Sequence, residues 1–285
     1  MAVDLFTEQS HNLISALFLL LSIPTFVITH YFIKAPFGRH VQGGEKYRWW
    51  YGPSFDARVS WFIFECPNLV WSWYSFCYLR DPDVIDTSAM MQLHQLSTNA
   101  ILLFLFTIHY INRSIVYPLR MNKSSHRVPL VVTLSACIVT IMNGYIQSFY
   151  LVRVRKLAPL SFPPLSWTDI QCWLGIVSFF LGMMVNIKSD GVLRDLRRRN
   201  KGGEKAYYIP QSPLFTYISC PNFFGEILEW FGFTVASNFA FPAVAFFIYT
   251  SSNLIPRGIA HHEWYQNKFD DYPKERKWAV IPFLV

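Results

Sequence analysis

Long apolar runs alternate with short polar stretches along this chain, and the run lengths decide how it is read. Five runs are readily drawn: Leu13 to Phe32, Val59 to Tyr78, Leu96 to Tyr117, Val128 to Val152 and Ile170 to Ile187. Each is close to the roughly 20 residues that a helix needs to cross a bilayer. A sixth run, Phe223 to Leu254, has 32 residues. As one helix it would be about 48 Å long against a hydrocarbon core of about 30 Å, too long for one crossing and tight for two. The pattern predicts an all-α, polytopic integral membrane protein. No internal repeat or low-complexity tract is visible, which counts against the inverted repeats of many transporters.

Basic residues arbitrate the sixth run, because Lys and Arg accumulate in cytoplasmic loops. The first 33 residues contain no Lys or Arg, so no cleavable signal peptide is apparent and the first run is expected to stay as an anchor. Residues 33 to 58 carry Lys34, Arg39, Lys46, Arg48 and Arg58, and the next loop has only Arg80 among Asp81, Asp83 and Asp86. Then come Arg120, Lys123 and Arg127, and after them the exception to the bias, Arg153, Arg155 and Lys156. Lys188, Arg194, Arg197, Arg198, Arg199, Lys201 and Lys205 follow, and five more basic residues lie beyond Leu254. With the N-terminus outside and the tail inside, residues 223 to 254 must cross twice, giving about seven helices. Pro242 or the stretch Ala236, Ser237, Asn238 would be the break.

Composition sharpens this. The 285 residues are 52% hydrophobic, 18% aromatic and only 15% charged, where a soluble domain carries about 25% charged residues. Disorder is excluded and an ordinary soluble enzyme is disfavoured. The net charge of +7 lies in the loops, so it implies membrane lipid and not nucleic acid. The five cysteines, Cys66, Cys77, Cys137, Cys172 and Cys220, form no CxxC pair and suggest neither zinc nor a disulfide framework. No GxGxxG, Walker, GxSxG or HExxH motif occurs.

The polar residues inside apolar runs are the candidates for chemistry. Glu65 lies mid-run between Trp61 and Val70, where an acid costs roughly 3 kcal/mol and usually faces a cavity or a partner. It either bridges helices or, as a protonated carboxyl, donates a hydrogen bond to a ligand. Pro67 beside it would loosen the helix. Tyr110, Arg113 and Tyr117, spaced by three and four, share a helical face next to His109 and Asn112. They are either an interfacial belt with a snorkelling Arg or a phenol placed to donate to a substrate oxygen. Asn186, Asp190, Arg194 and Arg197 share another face. A basic juxtamembrane cluster accounts for the arginines, but Asn and Asp suit a phosphorylated ligand with ribose hydroxyls better. Asn222, Glu226 and Glu229 open the sixth run, and Arg257, His261, His262 and Tyr265 follow it, so both ends can converge on one cytoplasmic polar site. Adjacent His261 and His262 point apart on a helix, and no metal site is expected.

These segments carry a resemblance. YYIPQSPLFTYISCPNFFGEILEWFGF from Tyr207, HHEWYQNKFDDYPKERKWAVIPFLV from His261 and GMMVNIKSDGVLRDLR from Gly182 resemble the steroid 5α-reductase family. So do WFIFECP from Trp61 and HYINRSIVY from His109. The C-terminal pattern is shared with enoyl-CoA and polyprenol reductases, while the Glu65 and Tyr110 segments point to the 3-oxo-Δ4-steroid branch. Phe64 and Tyr208 depart from the Gln and Arg of vertebrate members, which points to a bacterial or other non-vertebrate one.

The resemblance implies an NADPH-dependent 3-oxo-5α-steroid 4-dehydrogenase. Trp61, Glu65 and Tyr110 fall on substrate-binding positions, with Glu65 and Tyr110 as the pair that binds the C3 carbonyl oxygen. Asn122, Asn186, Asp190, Arg197, Tyr207, Asn222, Glu226, Arg257, His261 and Tyr265 fall on NADPH-binding positions. Residues 1–152 are expected to enclose a steroid or other lipid-like substrate and residues 153–285 to hold NADPH on the cytoplasmic side of a bacterial inner membrane or endoplasmic reticulum. A monomer is expected. A membrane methyltransferase, or a lipid-binding or transport protein, would also satisfy the bare composition.

Overall fold

In hydrocarbon every backbone N–H and C=O must find a partner inside the chain, and a helix supplies one locally, so the apolar runs become helices. The computed structural model describes residues 7–32, 52–79, 95–122, 127–154, 156–199 and 207–285. The loop residues Lys34, Arg39, Lys46, Arg48, Arg80, Asp81, Asp83, Asp86, Lys123, Arg155, Lys201 and Lys205 lie outside the described residues.

Helix α1 (Glu8–Val27) begins where the Thr7 hydroxyl accepts from the Ser10 amide, and it runs on into a π-helical turn, Ile28–Phe32. Helix α2 (Ala57–Leu79) covers the second run in 23 residues. Pro67 withholds one N–H from it, and the nearby Phe64 carbonyl accepts the Thr140 hydroxyl. The third run is α3 (Thr98–Ile111), a π-helical turn Asn112–Val116, and α4 (Tyr117–Arg120). The fourth repeats this plan as α5 (Leu130–Gly144), a π-helical turn Tyr145–Phe149, and α6 (Tyr150–Arg153). Helix α7 (Trp167–Arg199) carries Asp169 in its first turn, and this carboxylate accepts from the amides of Ser161, Leu165 and Ser166.

Among the described residues, four stretches are long and apolar enough to cross a membrane: Glu8–Tyr31, Thr98–Arg120, Leu130–Arg153 and Trp167–Arg198. Leu13, Leu20, Ile23, Ile138 and Leu174 are exposed on them, as hydrocarbon-facing side chains are. Helix α7 outruns the fifth apolar run. Its 33 residues measure about 50 Å, so the helix continues through Asp190, Arg194 and Arg197 instead of ending at Ile187.

The sixth run is a hairpin. Helix α8 (Pro221–Ala236) and helix α9 (Phe241–Lys268) are separated by Ser237 to Ala240, where Asn238 and Phe239 both have φ of 52°. The break therefore falls on the small-polar stretch and not at Pro242, which sits in the first turn of α9, where a missing N–H costs nothing. Gln171 donates to the Val235 carbonyl and the Asn238 side chain and holds the turn.

Two short antiparallel ladders tie the helix ends. β1 (Ser54–Asp56) pairs with β3 (Arg127–Pro129), joining the starts of α2 and α5. β2 (Gln95–Leu96) pairs with β4 (Leu160–Ser161), joining the start of α3 to the approach of α7 at the other end. The core is aromatic and central: Phe106, Trp230 and Phe233 are fully buried together, with Phe246 edge-on to Trp230 at 4.7 Å.

The tightest packing is between α7 and α8. Gly175 and Gly182 on one helix face Gly225 and Gly232 on the other, and a Cβ at any of the four would fall within 3.0 Å of facing backbone atoms. Seven-residue glycine spacing lets the backbones touch, as small residues do in membrane helix pairs. The contact brings Asn186 and Asp190 against Asn222 and Glu226.

Candidate active site

Arg113 is the hub of the buried polar residues. The π-helical turn that carries it, the irregularity often found at functional sites, aims its guanidinium inward. Nε lies 3.9 Å from Glu65 Oε1, Nη1 3.7 Å from Asp190 Oδ2 and Nη2 3.8 Å from Glu226 Oε2. Its flat faces lie over Trp61 at 4.8 Å and Tyr117 at 5.1 Å. This is not a snorkelling arginine. One cation from the π-helical turn after α3 gathers carboxyl groups from α2, α7 and α8.

Tyr110, one turn earlier, is buried, and its oxygen accepts from the Asn143 side chain at 2.8 Å. Asn143 also donates to Asn68 Oδ1 at 3.1 Å. With one lone pair of the phenol occupied, its own proton remains to be donated, and Glu65 is close enough for its charge to act on the ring. His109 turns the other way, and its Nδ1 meets Glu229 Oε1 at 2.8 Å, closing α3 against α8 beside Trp230. The indole Nε1 of Trp61 is buried with no hydrogen-bond partner among the described residues.

On the opposite wall Asn186 donates to the Asn222 carbonyl at 3.0 Å and reaches Glu226 Oε2 at 3.4 Å. The Asn222 side chain donates to Asp190 Oδ1 at 3.0 Å. A narrow cleft leads out from this wall, lined by Asn112, Tyr117, Arg120, Asn186, Asp190 and Arg194. Asn122 lies at its mouth, donating to the Arg194 carbonyl at 3.4 Å and accepting from Arg198 Nε at 3.1 Å. Arg197 is exposed at the end of α7, near enough for its charge to act on Asp190.

Arg257, His261 and Tyr265 occupy one face of α9 at four-residue steps. Arg257 lies over the Phe223 ring at 5.5 Å, His261 tilts against the same ring at 5.8 Å, and Tyr265 stacks on Tyr272 at 5.8 Å. Tyr207 meets Trp264 edge-on at 4.9 Å. His262 points away from His261 to Ser219, whose hydroxyl it meets at 2.5 Å and which also meets the Tyr272 hydroxyl at 2.6 Å. Burial holds the His262 imidazole below its usual value, with Glu263 opposing. Burial pushes the Tyr272 phenol up against the opposing effects of Ser219 and Arg276. This triad and the bonds from Ser219 and Cys220 amides to Trp278 and Ala279 carbonyls pin the tail across the start of α8. Among the described residues, no group of three metal-ligating side chains comes together.

Sequence comparison bears on this geometry. Residues 126–285 match the family model described as 3-oxo-5-alpha-steroid 4-dehydrogenase. Steroid 5-alpha-reductase DET2 of Arabidopsis thaliana is 36% identical over 268 residues, covering 92% of this chain and 91% of its own length. The chain belongs to the steroid 5α-reductase family. The 3-oxo-5-alpha-steroid 4-dehydrogenase 1 of Rattus norvegicus is 38% identical over 256 residues, covering 89% of this chain and 87% of its own, and the DET2 enzyme of Solanum lycopersicum is 33% identical over 283 residues, covering 97% and 98%.

Within this steroid 5α-reductase family member the buried cluster contains groups that single-residue reading passed over. Asn143 and Asn68 lie in apolar runs, and intramembrane polarity is the signal that could have singled them out. Their pairing with Tyr110 depends on how α2, α3 and α5 pack, which spacing along one helix does not reveal.

Proposed function

We propose that this enzyme reduces the C4–C5 double bond of 3-oxo-Δ4-steroids to 5α-dihydrosteroids, with Glu65 and Tyr110 holding the C3 carbonyl oxygen. The observation that carries this is the convergence of Glu65, Tyr110 and Arg113 with Asn186, Asp190, Asn222 and Glu226 in one buried cluster. Steroid reduction is the activity in the names of the relatives.

The residues present fit NADPH. Asn and Asp side chains match amide and ribose hydroxyl groups, and exposed Arg197 and Arg198 with Arg194 at the cleft suit phosphates. Asn122, Asn186, Asp190, Arg197, Tyr207, Asn222, Glu226, Arg257, His261 and Tyr265 would hold it. When bound, NADPH supplies the hydride that adds at C5. The chain's own task is electrostatic: the Tyr110 hydroxyl and a protonated Glu65 donate to the C3 oxygen as negative charge develops on it. Asn143 fixes the phenol, and Arg113 fixes the carboxyl while offsetting Asp190 and Glu226. Trp61 and the aromatic core exclude water. Protonation at C4 completes the reduction.

This reading places about seven helices in the membrane, the N-terminus outside and the cofactor cleft in the cytoplasm, in a monomer. Residues 1–152 enclose the steroid and residues 153–285 hold the cofactor. An assay of NADPH oxidation in detergent with testosterone or progesterone, with products identified by mass spectrometry, tests it. Glu65→Gln and Tyr110→Phe should each lower kcat by about 10²- to 10³-fold, the usual cost of one such donor, with NADPH affinity retained. Near-wild-type turnover in both variants refutes the assignment.

A further inference from the structure

His11 is fully buried in the first turn of α1, and among the described residues neither ring nitrogen has a hydrogen-bond partner. A buried polar group left unpaired costs about 1–3 kcal/mol, so its persistence calls for a reason. Its surroundings are aromatic. The imidazole stacks on Tyr145 at 4.2 Å and 13°, with Phe149 at 6.1 Å and Tyr150 at 5.8 Å. Tyr145 to Phe149 is a π-helical turn, as is the one that carries Arg113.

Three consecutive residues of the fourth run join this aromatic box to the reacting end. Asn143 donates to the Tyr110 oxygen, Gly144 lets Trp71 pack where any Cβ would collide with it, and Tyr145 stacks on His11. Trp71 in turn packs on Tyr145 at 5.3 Å. On α2, Trp71 stands six residues beyond Glu65, about 9 Å along the axis. Four fused rings built of bonds about 1.5 Å long span about 10 Å between the oxygens on C3 and C17. Trp71, which packs on one wall of the box, thus stands about one steroid length along α2 from Glu65.

We propose that His11 is the polar anchor for the far end of the substrate, hydrogen-bonding an oxygen on the D ring of the steroid. This rests on the steroid-reductase reading above. Imidazole suits the role because one nitrogen can donate to a ketone and the other accept from a hydroxyl, so both oxidation states at C17 are accommodated. The site then favours steroids oxygenated at both ends over those with an apolar D-ring end. His11 does not touch the reacting atoms and sets specificity alone.

Androst-4-ene-3,17-dione and androst-4-en-3-one differ only in the distal oxygen. Both are offered to the purified full-length protein in detergent, with kcat/KM from NADPH oxidation and Kd from quenching of tryptophan fluorescence. Relative to wild type, His11→Phe, which keeps the stacking and removes the nitrogens, should lower kcat/KM for the dione about tenfold, the worth of one hydrogen bond. The 3-ketone should change less than twofold. Equal losses on both substrates would mark His11 as structural and overturn the inference. Should the variant fail to fold, wild type alone decides: equal affinity for the two steroids overturns the proposal, and tighter binding of the dione supports it. Discrimination in binding with no turnover of either steroid would instead refute the reductase reading and leave the His11 contact standing.

Discussion

Replacing Arg113 by Met keeps the length of the side chain and removes a cation that lies within 4 Å of Glu65, Asp190 and Glu226 alike. At a separation near 3.8 Å and an effective dielectric of about 20, the gross attraction to each of Asp190 and Glu226 is about 4 kcal/mol, while Glu65, protonated in the reading above, adds only a weaker polar contact. Desolvation of the charged groups offsets most of that, so the intact cluster contributes little net stability. Losing the cation is different, because the largely buried Asp190 and Glu226 carboxylates are left facing one another beside Glu65. Truncating one partner of a buried pair costs about 3–5 kcal/mol, and the stacking on Trp61 and Tyr117 is lost as well. At about 2 °C per kcal/mol for a chain of this size, Tm should fall by roughly 6–10 °C. The measurement is thermal unfolding in one detergent at pH 7.5 and a fixed scan rate. Adding Glu226→Gln to the Met variant should recover part of the loss, although Glu226→Gln alone destabilises the wild type, a coupling of at least about 1 kcal/mol. A Met variant within 1 °C of wild type, or additive effects in the double variant, would refute the hub argument.

Two further outcomes follow from the packing. Gly182→Val must push α7 off α8, because its Cβ would fall within 3.0 Å of the Gly225 and Glu229 backbone; it should cost about 1–3 kcal/mol or more and raise KM for NADPH by parting Asn186 from Asn222. Gly191→Ala, whose Cβ would meet Arg194 Nη2 at an ordinary 3.5 Å, should be neutral, and a Gly182→Val protein with unchanged Tm and KM would refute the seam. Acid should loosen the tail latch. His262 is held below its usual 6.5, so between the two values the unfolded chain binds the proton first, and stability present above pH 6.5 is lost as pH falls below it. Unfolding at pH 7.5, 6.5 and 5.5 should show a smaller acid loss in His262→Gln than in wild type, and equal losses would exclude the latch histidine as the cause.

Much of the helical plan is legible in the sequence because hydrocarbon imposes a length on apolar runs. Five runs map onto helices, and the long sixth run demands a break from its length alone. What the run pattern misses is polar helix. Lys188 to Arg199 lies beyond the apolar stretch yet continues α7, because a helix already nucleated extends at little cost. The π-helical turns at Asn112–Val116 and Tyr145–Phe149 have no local signature, since the extra residue in each is accommodated by packing against other helices.

The candidate site divides in the same way. The sequence by itself marked Glu65, Tyr110 and Glu226, because a polar group inside an apolar run is costly wherever it sits and so signals a partner, and it marked Asp190 and Asn222 at the ends of such runs. It also carried the family pattern. Which group partners which was decided only by the tertiary structure. Arg113 could be assigned to lipid headgroups or to a buried cluster on spacing alone, and it is the approach of α2, α7 and α8 that supplies three carboxylates within 3.9 Å. His11, an unremarked polar residue near the start of the first run, became informative only when α1 placed it against Tyr145 with no partner for either nitrogen among the described residues. Polarity in an apolar run is a property of one position; its meaning depends on what other helices bring to within hydrogen-bonding distance.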